Sequence, residues 1–336
     1  MEKIMRKTLV IAALLASCCM AQAQEPTEMS EVETGTQIYN VEELRLPPTN
    51  GVLVISGERV WNSFFVSAER IEFEPGASLV FSEDAVAMRG NLYVVANEIV
   101  SRSQEDPGTI TWRPGPLGVP PDRGSAPGAG GYPGDERPGN PGQAGAAGNA
   151  GYSGASGPNL TFVVGEPSSP VVVDLRGQAG GAGGRGEQGG RGGVGGNGRQ
   201  SSQSAFDCRR GAGDGGRGGA GAAGGSGGIG GSGGRGGTFI LMTERDALPV
   251  ASSLFRVRLA PGVGGPGGAG GDGGAGGDGG RGGSQSLPYC RGNGSNGQPG
   301  APGSTGSPGG SGPQGGDGDY IIGGLSEADL VRVLQD

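Results

Sequence analysis

Glycine recurs with a three-residue period over more than half of this chain, and that phase restricts what the chain can become more than any other feature. Five uninterrupted runs hold the register, at 139–159, 177–198, 215–238, 264–284 and 294–320, and a less regular stretch, "PGPLGVPPDRGSAPGAGGYPG", covers 114–134. A flexible linker has no reason to keep phase. The first and last runs are mostly Gly-x-y ("GNPGQAGAAGNAGYSGAS", "GSNGQPGAPGSTGSP"), whereas the middle three are mostly Gly-Gly-x ("GGSGGIGGSGGR", "GGAGGDGGAGGDGGR"). A collagen chain needs one glycine per turn to reach a crowded axis. A second one only adds unfolded-state entropy, about 0.5–1 kcal/mol per residue relative to Ala. A left-handed polyproline-II helix flanked by neighbours on two of its three edges, by contrast, needs glycine on both. The middle runs therefore read as interior helices of a bundle and the outer runs as peripheral ones. Such a helix has no internal hydrogen bonds, so its N–H and C=O groups must pair with adjacent helices.

Between the runs lie short β-branched and aromatic segments that align with one another. Four form one set: "NLYVVANE" (91–98), "NLTFVVGE" (159–166), "GTFILMTE" (237–244) and "GDYIIGGL" (318–325). A second set, "GTITWRPG" (108–115), "PVVVDLRG" (170–177) and "LFRVRLAPG" (254–262), follows the first three and enters the glycine runs. "NSFFVSAE" (62–69) with "PGASLVF" (75–81) adds a copy closed by the plain connector "SEDAVAMRG". The expected fold is an all-β solenoid of parallel rungs with an inserted antiparallel bundle of about six polyproline-II helices, and one short C-terminal α-helix in "GGLSEADLVRVLQD". There Ser326 caps the helix, Asp329 stands three residues on, Leu325 and Leu330 suit a hydrophobic staple, and the helix is expected to cover the open end of the solenoid.

The domain reading that results is a signal peptide (1–23), an acidic spacer (24–49), N-terminal rungs (50–112), glycine-rich hairpins alternating with strands at 159–176, 237–261 and 318–324 (113–320), and the final helix (325–336). Residues 1–23 combine Lys3, Arg6 and Lys7 with an apolar stretch too short to span a bilayer and "AQA" before Gln24, so export with cleavage after Ala23 is expected. "LASC" (15–18) resembles a bacterial lipobox, and its use would instead lipidate Cys18 and tether an outer-membrane lipoprotein. With Cys18 and Cys19 removed, Cys208 and Cys290 remain for an oxidising compartment, which suggests a disulfide. Both lie at tips of predicted hairpins, in "RQSSQSAFDCRR" and "SQSLPYCRG", where a bond would close a long loop worth about 4 kcal/mol.

Few residues carry chemistry. The chain has no His, and in the mature reading no spare Cys, which removes the usual general bases, thiol nucleophiles and imidazole ligands. No enzyme activity and no cofactor are expected. The formal net charge of −8 leaves no basic stripe for nucleic acid. "GGAGGDGGA" matches the first six positions of a calcium-binding nonapeptide, but the eighth position needs an apolar residue and holds Gly274. No metal site is therefore assigned, and Asp272 and Asp278 are the carboxylates such a site would use. The tips carry Phe206, Arg209, Arg210, Tyr289 and Arg291, an aromatic and cationic mixture suited to ligand recognition.

Over about 114–320 the repeat type resembles the glycine-rich polyproline-II bundles of the snow-flea antifreeze protein and of phage tail-tip adhesins, and short bacterial collagen-like proteins. The expectation is a monomeric bacterial protein, secreted, periplasmic or on the outer surface. It would act as a structural or adhesive module on a ligand outside the cell or on a cell surface, and would meet a membrane only if Cys18 is lipidated. The resemblance implies two alternatives, an ice-binding protein and a short trimeric collagen-like stalk.

Overall fold

The structure, a computed structural model, describes residues 51–121, 129–130, 135–285 and 288–335. The signal peptide, the spacer and Cys18 lie outside these residues.

Among the described residues, thirteen strands, three short α-helices and one 3-10 turn make up the regular backbone. β1 (Val52–Ile55), β3 (Phe65–Phe73), β5 (Asn91–Ser101), β7 (Asn159–Pro167), β11 (Thr238–Glu244) and β13 (Asp319–Leu325) lie side by side in a six-stranded sheet in that order. β2 (Glu58–Trp61), β4 (Ser78–Phe81), β6 (Gly108–Trp112), β8 (Val171–Asp174) and β12 (Phe255–Arg258) form a five-stranded sheet in the same succession. Every pairing in both sheets is parallel. The chain visits the sheets alternately, so, with β9 and β10 set aside, each strand lies beside the one two places before it. β9 (Ser202–Gln203) and β10 (Cys208–Arg210) make a separate antiparallel pair.

Register aligns like with like. Leu92 pairs with Leu160, Leu160 with Phe239 and Phe239 with Tyr320; one pleat on, Val94 pairs with Phe162, Phe162 with Leu241 and Leu241 with Ile322. From β5 to β11 this inward column meets Leu79, Ile110, Val171 and Val173 of the other sheet in one continuous core, whereas Tyr320 and Ile322 on β13 are exposed. Phe255 of β12 closes it, with its ring 5.2 Å from Phe162 edge-on and 5.7 Å from Phe239. Fully burying one such ring contributes about 1.5–3 kcal/mol. A second, smaller cluster lies on the outer face of the six-stranded sheet, where Val95, Val163 and Met242 meet Leu325 and Leu330.

This architecture corrects the expected solenoid and bundle. The described residues form an α/β-type fold of two parallel sheets, six- and five-stranded, with few helices. Parallel neighbours cannot be joined by a tight turn, and two short helices occupy connections. α1 (Glu83–Arg89) fills the connector read as plain: the Ser82 hydroxyl accepts from the Ala85 N–H, and Gly90 ends it at φ 67°. α2 (Leu248–Leu254) follows a 3-10 turn at Arg245–Ala247 and leads into β12. α3 (Glu327–Gln335) begins at Ser326, whose hydroxyl accepts from the Asp329 N–H. It packs beside the outer cluster of the six-stranded sheet and does not cover an end.

The glycine segments are neither helices of their own nor collagen-like. They lie outside every helix and strand and bond to one another within a single chain. Each leaves a strand of the five-stranded sheet and returns to a strand of the six-stranded one, so outgoing and returning segments run antiparallel. For instance, Gly219 N–H donates to Gly193, Ala222 to Gly190 and Gly225 to Glu187. A triple helix of three parallel chains about one axis does not permit that pairing, so the trimeric stalk is not carried further.

Candidate functional site

Outgoing segments 175–199 and 259–285 lie in one layer, and returning segments 135–158, 211–237 and 292–318 lie in the other. Within a layer the segments run parallel: Gly180, Gly183 and Gly186 donate to Val263, Pro266 and Ala269, and Gly218 and Gly221 donate to Gln298 and Ala301, each at 2.8–2.9 Å. Between layers the second glycine of each pair donates, as Gly181 does to Tyr152 and Gly265 to Gly231. The Gly-Gly-x pattern thus has a direct cause. An interior segment sends one N–H sideways and one across, and both approaches are too close for a side chain. A Cβ on Gly183 would lie 2.2 Å from the Gly228 carbonyl oxygen, and one on Gly228 would lie 1.9 Å from that of Asn149.

The third residue of each triplet faces out, and the two layers present different surfaces. On the outgoing layer Arg185 pairs with Asp272 at 2.6 Å and Arg191 with Asp278 at 2.7 Å. Asp272 and Asp278 thus each neutralise an arginine, and no group of three or more metal-ligating side chains occurs among the described residues. Exposed ion pairs of this kind contribute about 0–1 kcal/mol each. On the returning layer the corresponding exposed positions are Ala144, Ala147 and Ala150, then Ala220, Ala223 and Ser226, then Ala301, Ser304 and Ser307. These rows are in register through the Gly145–Ala223 and Gly224–Ser304 bonds, and the Ser232 hydroxyl donates to that of Ser153 at 2.9 Å across two of them.

At the far end the segments are clasped. Cys208 and Cys290 form a disulfide with Cα atoms 4.8 Å apart, bridging 82 residues of sequence. Cys290 is buried, at 1% exposure. Around it side-chain amides fasten the tips: Gln200 Oε1 accepts from the Ser284 N–H at 3.0 Å and Gln203 Oε1 from the Tyr289 N–H at 3.2 Å. The β9–β10 turn is held by the Ser204 hydroxyl, which accepts from the Asp207 N–H at 3.1 Å, and by Asp207 Oδ1, which accepts from the Cys208 N–H at 2.7 Å. The side chains named from sequence are gathered by this clasp. Phe206 stands on the turn at 87% exposure, Arg209 and Arg210 on β10 are exposed, and Tyr289 (44% exposed) and Arg291 flank Cys290. Gln200 and Gln203 were missed, although amide side chains in a tip loop are the groups expected to satisfy backbone donors there.

A groove where the five-stranded sheet passes into the glycine layer is lined by Trp112, Asp174, Arg176 and Gln178. Its charges are spent internally. Asp174 binds Arg176 at 2.7 Å and lies 3.9 Å from Arg258. Through its hydrogen bonds first and its charge second, it raises the Arg176 guanidinium further above its ordinary range. No protein-family model matches the chain, and none of the curated proteins compared with it is similar.

Proposed function

We propose that the protein is an exported, non-enzymatic structural or adhesive module that holds a recognition tip away from its sheet body. The observation that carries this reading is the clasped tip, where Phe206 and Tyr289 are exposed beside Arg209, Arg210 and Arg291 around a buried disulfide. Exposed rings and guanidinium groups on a rigid support lose little entropy on binding and dominate recognition energetics. The test is attachment of cells displaying the full chain, with Phe206→Ala, Arg209→Ala, Tyr289→Ala and Arg291→Ala combined. Attachment is expected to fall by about tenfold or more. Unchanged attachment by a folded variant overturns the reading.

A second reading, ice binding, is favoured by one feature, the returning layer's exposed array of alanine and serine. Purified protein would then show thermal hysteresis, abolished by Ala223→Arg at the centre of the array. Absence of hysteresis in the native protein removes this reading.

A further inference from the structure

The two layers end at segments 259–285 and 292–318, and no described segment flanks 259–285 on the side away from 175–199. In segment 175–199 the first glycine of each pair donates its N–H to segment 259–285, and in 211–237 it donates to 292–318. In 259–285 the equivalent donors, on Gly264, Gly267, Gly270, Gly273, Gly276 and Gly279, have no acceptor among the described residues. A row of acceptors is open beside them. Carbonyls of the third returning segment lack the partners their counterparts have: Gly231, Gly228 and Gly225 accept from Gly265, Gly268 and Gly271, whereas Gly312, Gly309 and Gly306 accept from no described group.

The returning layer, by contrast, is partly closed: Thr305, Ser311 and Gln314 keep an N–H on its edge, but prolines interrupt the row. At the positions where its next donors would stand, segment 292–318 carries Pro299, Pro302 and Pro308, which have no N–H. At the distal end the outgoing edge is closed too, by side chains standing in for a missing backbone. Asn296 Oδ1 accepts from the Gly282 N–H at 2.9 Å, and Asn293 Oδ1 accepts from the Gln285 N–H at 2.8 Å. These two amide oxygens show the kind of group the row takes, and the six donors that follow lack it.

We propose that this edge binds one further extended polypeptide in trans, with glycine at every third residue, running parallel to segment 259–285. Its carbonyls take the six free N–H groups, and its glycine N–H groups reach the free carbonyls of segment 292–318. Glycine is required where the occupant donates, because the matching position in segment 259–285 already allows no side chain: a Cβ on Gly265 would lie 2.0 Å from the Gly181 carbonyl oxygen. The other two positions of each triplet face solvent and accept proline. The mode is strand addition to an open edge, in which backbone bonds supply affinity and the spacing of one residue type supplies specificity.

The test uses the full chain and the six-triplet peptide (Gly-Pro-Ala)6, with (Ala-Pro-Ala)6 as control. Amide shifts on titration are expected at Gly264–Gly279 and not at Gly180–Gly195, with no response to the control. Pro302→Asn, Thr305→Asn and Pro308→Asn together copy the Asn296 plug onto Gly276, Gly273 and Gly270. They lie on an exposed segment edge and are expected to weaken binding about tenfold or more without lowering the melting temperature. Failure of the native chain to bind the peptide while these amides exchange freely overturns the proposal. So does a dimer that forms through this edge and is not displaced by the peptide, which would assign the edge to a second copy.

Discussion

At the scale of single residues, glycines here differ sharply in what they tolerate. Gly228 sits where an added methyl would lie 1.9 Å from the Asn149 carbonyl oxygen, while Gly310 has nothing within 4 Å. Gly228→Ala should therefore destabilise by about 1–3 kcal/mol through overpacking. Gly310→Ala should be neutral or stabilise by about 0.4–1 kcal/mol by restricting the unfolded chain. Thermal unfolding of the two variants checks both. A second residue-scale expectation concerns Tyr320, stacked on Phe239 with ring centres 5.4 Å apart. Burial raises its phenol above the ordinary range. A raised folded pKa means the native state holds the proton more tightly, so the contribution to stability is complete below the unfolded value near pH 10 and is lost as pH climbs through the folded value. Unfolding midpoints of the native protein should fall in that alkaline window, and Tyr320→Phe should remove this part of the fall.

At the scale of elements, what could be read beforehand followed from period and what could not followed from brevity. The aligned segments at 91–98, 159–166 and 237–244 coincide with β5, β7 and β11 because β-branched and aromatic residues alternate there long enough to mark a buried strand. β1 and β2 are four residues each and edge their sheets, so they left too little pattern to be seen. α1 could have been found: Ser82 before an acidic first turn and Gly90 after Arg89 are start and stop signals, but seven residues carry too little apolar period to outweigh a connector. The tip residues were legible as loop residues. That six glycines would lack acceptors was not, because it depends on which segment lies beside which. Ser326→Ala, removing the α3 cap, should cost about 1 kcal/mol and expose Val95, Val163 and Met242 on the sheet's outer face, detectable as increased dye binding before global unfolding.

At the scale of the whole molecule, stability is divided between two unlike parts. The sheets are held by a continuous apolar core, whereas the glycine layers are held by main-chain bonds and one distal covalent link. Cys208→Ser with Cys290→Ser relaxes a link spanning 82 residues, a loss of about 4 kcal/mol on the chain-entropy view. Because the link is remote from the core, the loss should be local: amides of Gly198, Gly213 and Gly283 should exchange first while those of β5 and β7 stay protected. Uniform loss of protection across both parts would contradict this division.

The antiparallel pairing also dictates how such a chain can change length. Gly193 meets Gly219, Gly190 meets Ala222, and the ladder continues in steps of three on both sides. A deletion of one or two residues in any arm would turn outward side chains into the space reserved for neighbouring carbonyls. Length variants that still fold should therefore differ by whole triplets, gained or lost at the same height in every abutting arm, so that the gene is edited in nine-nucleotide steps and the molecule keeps a built-in ruler.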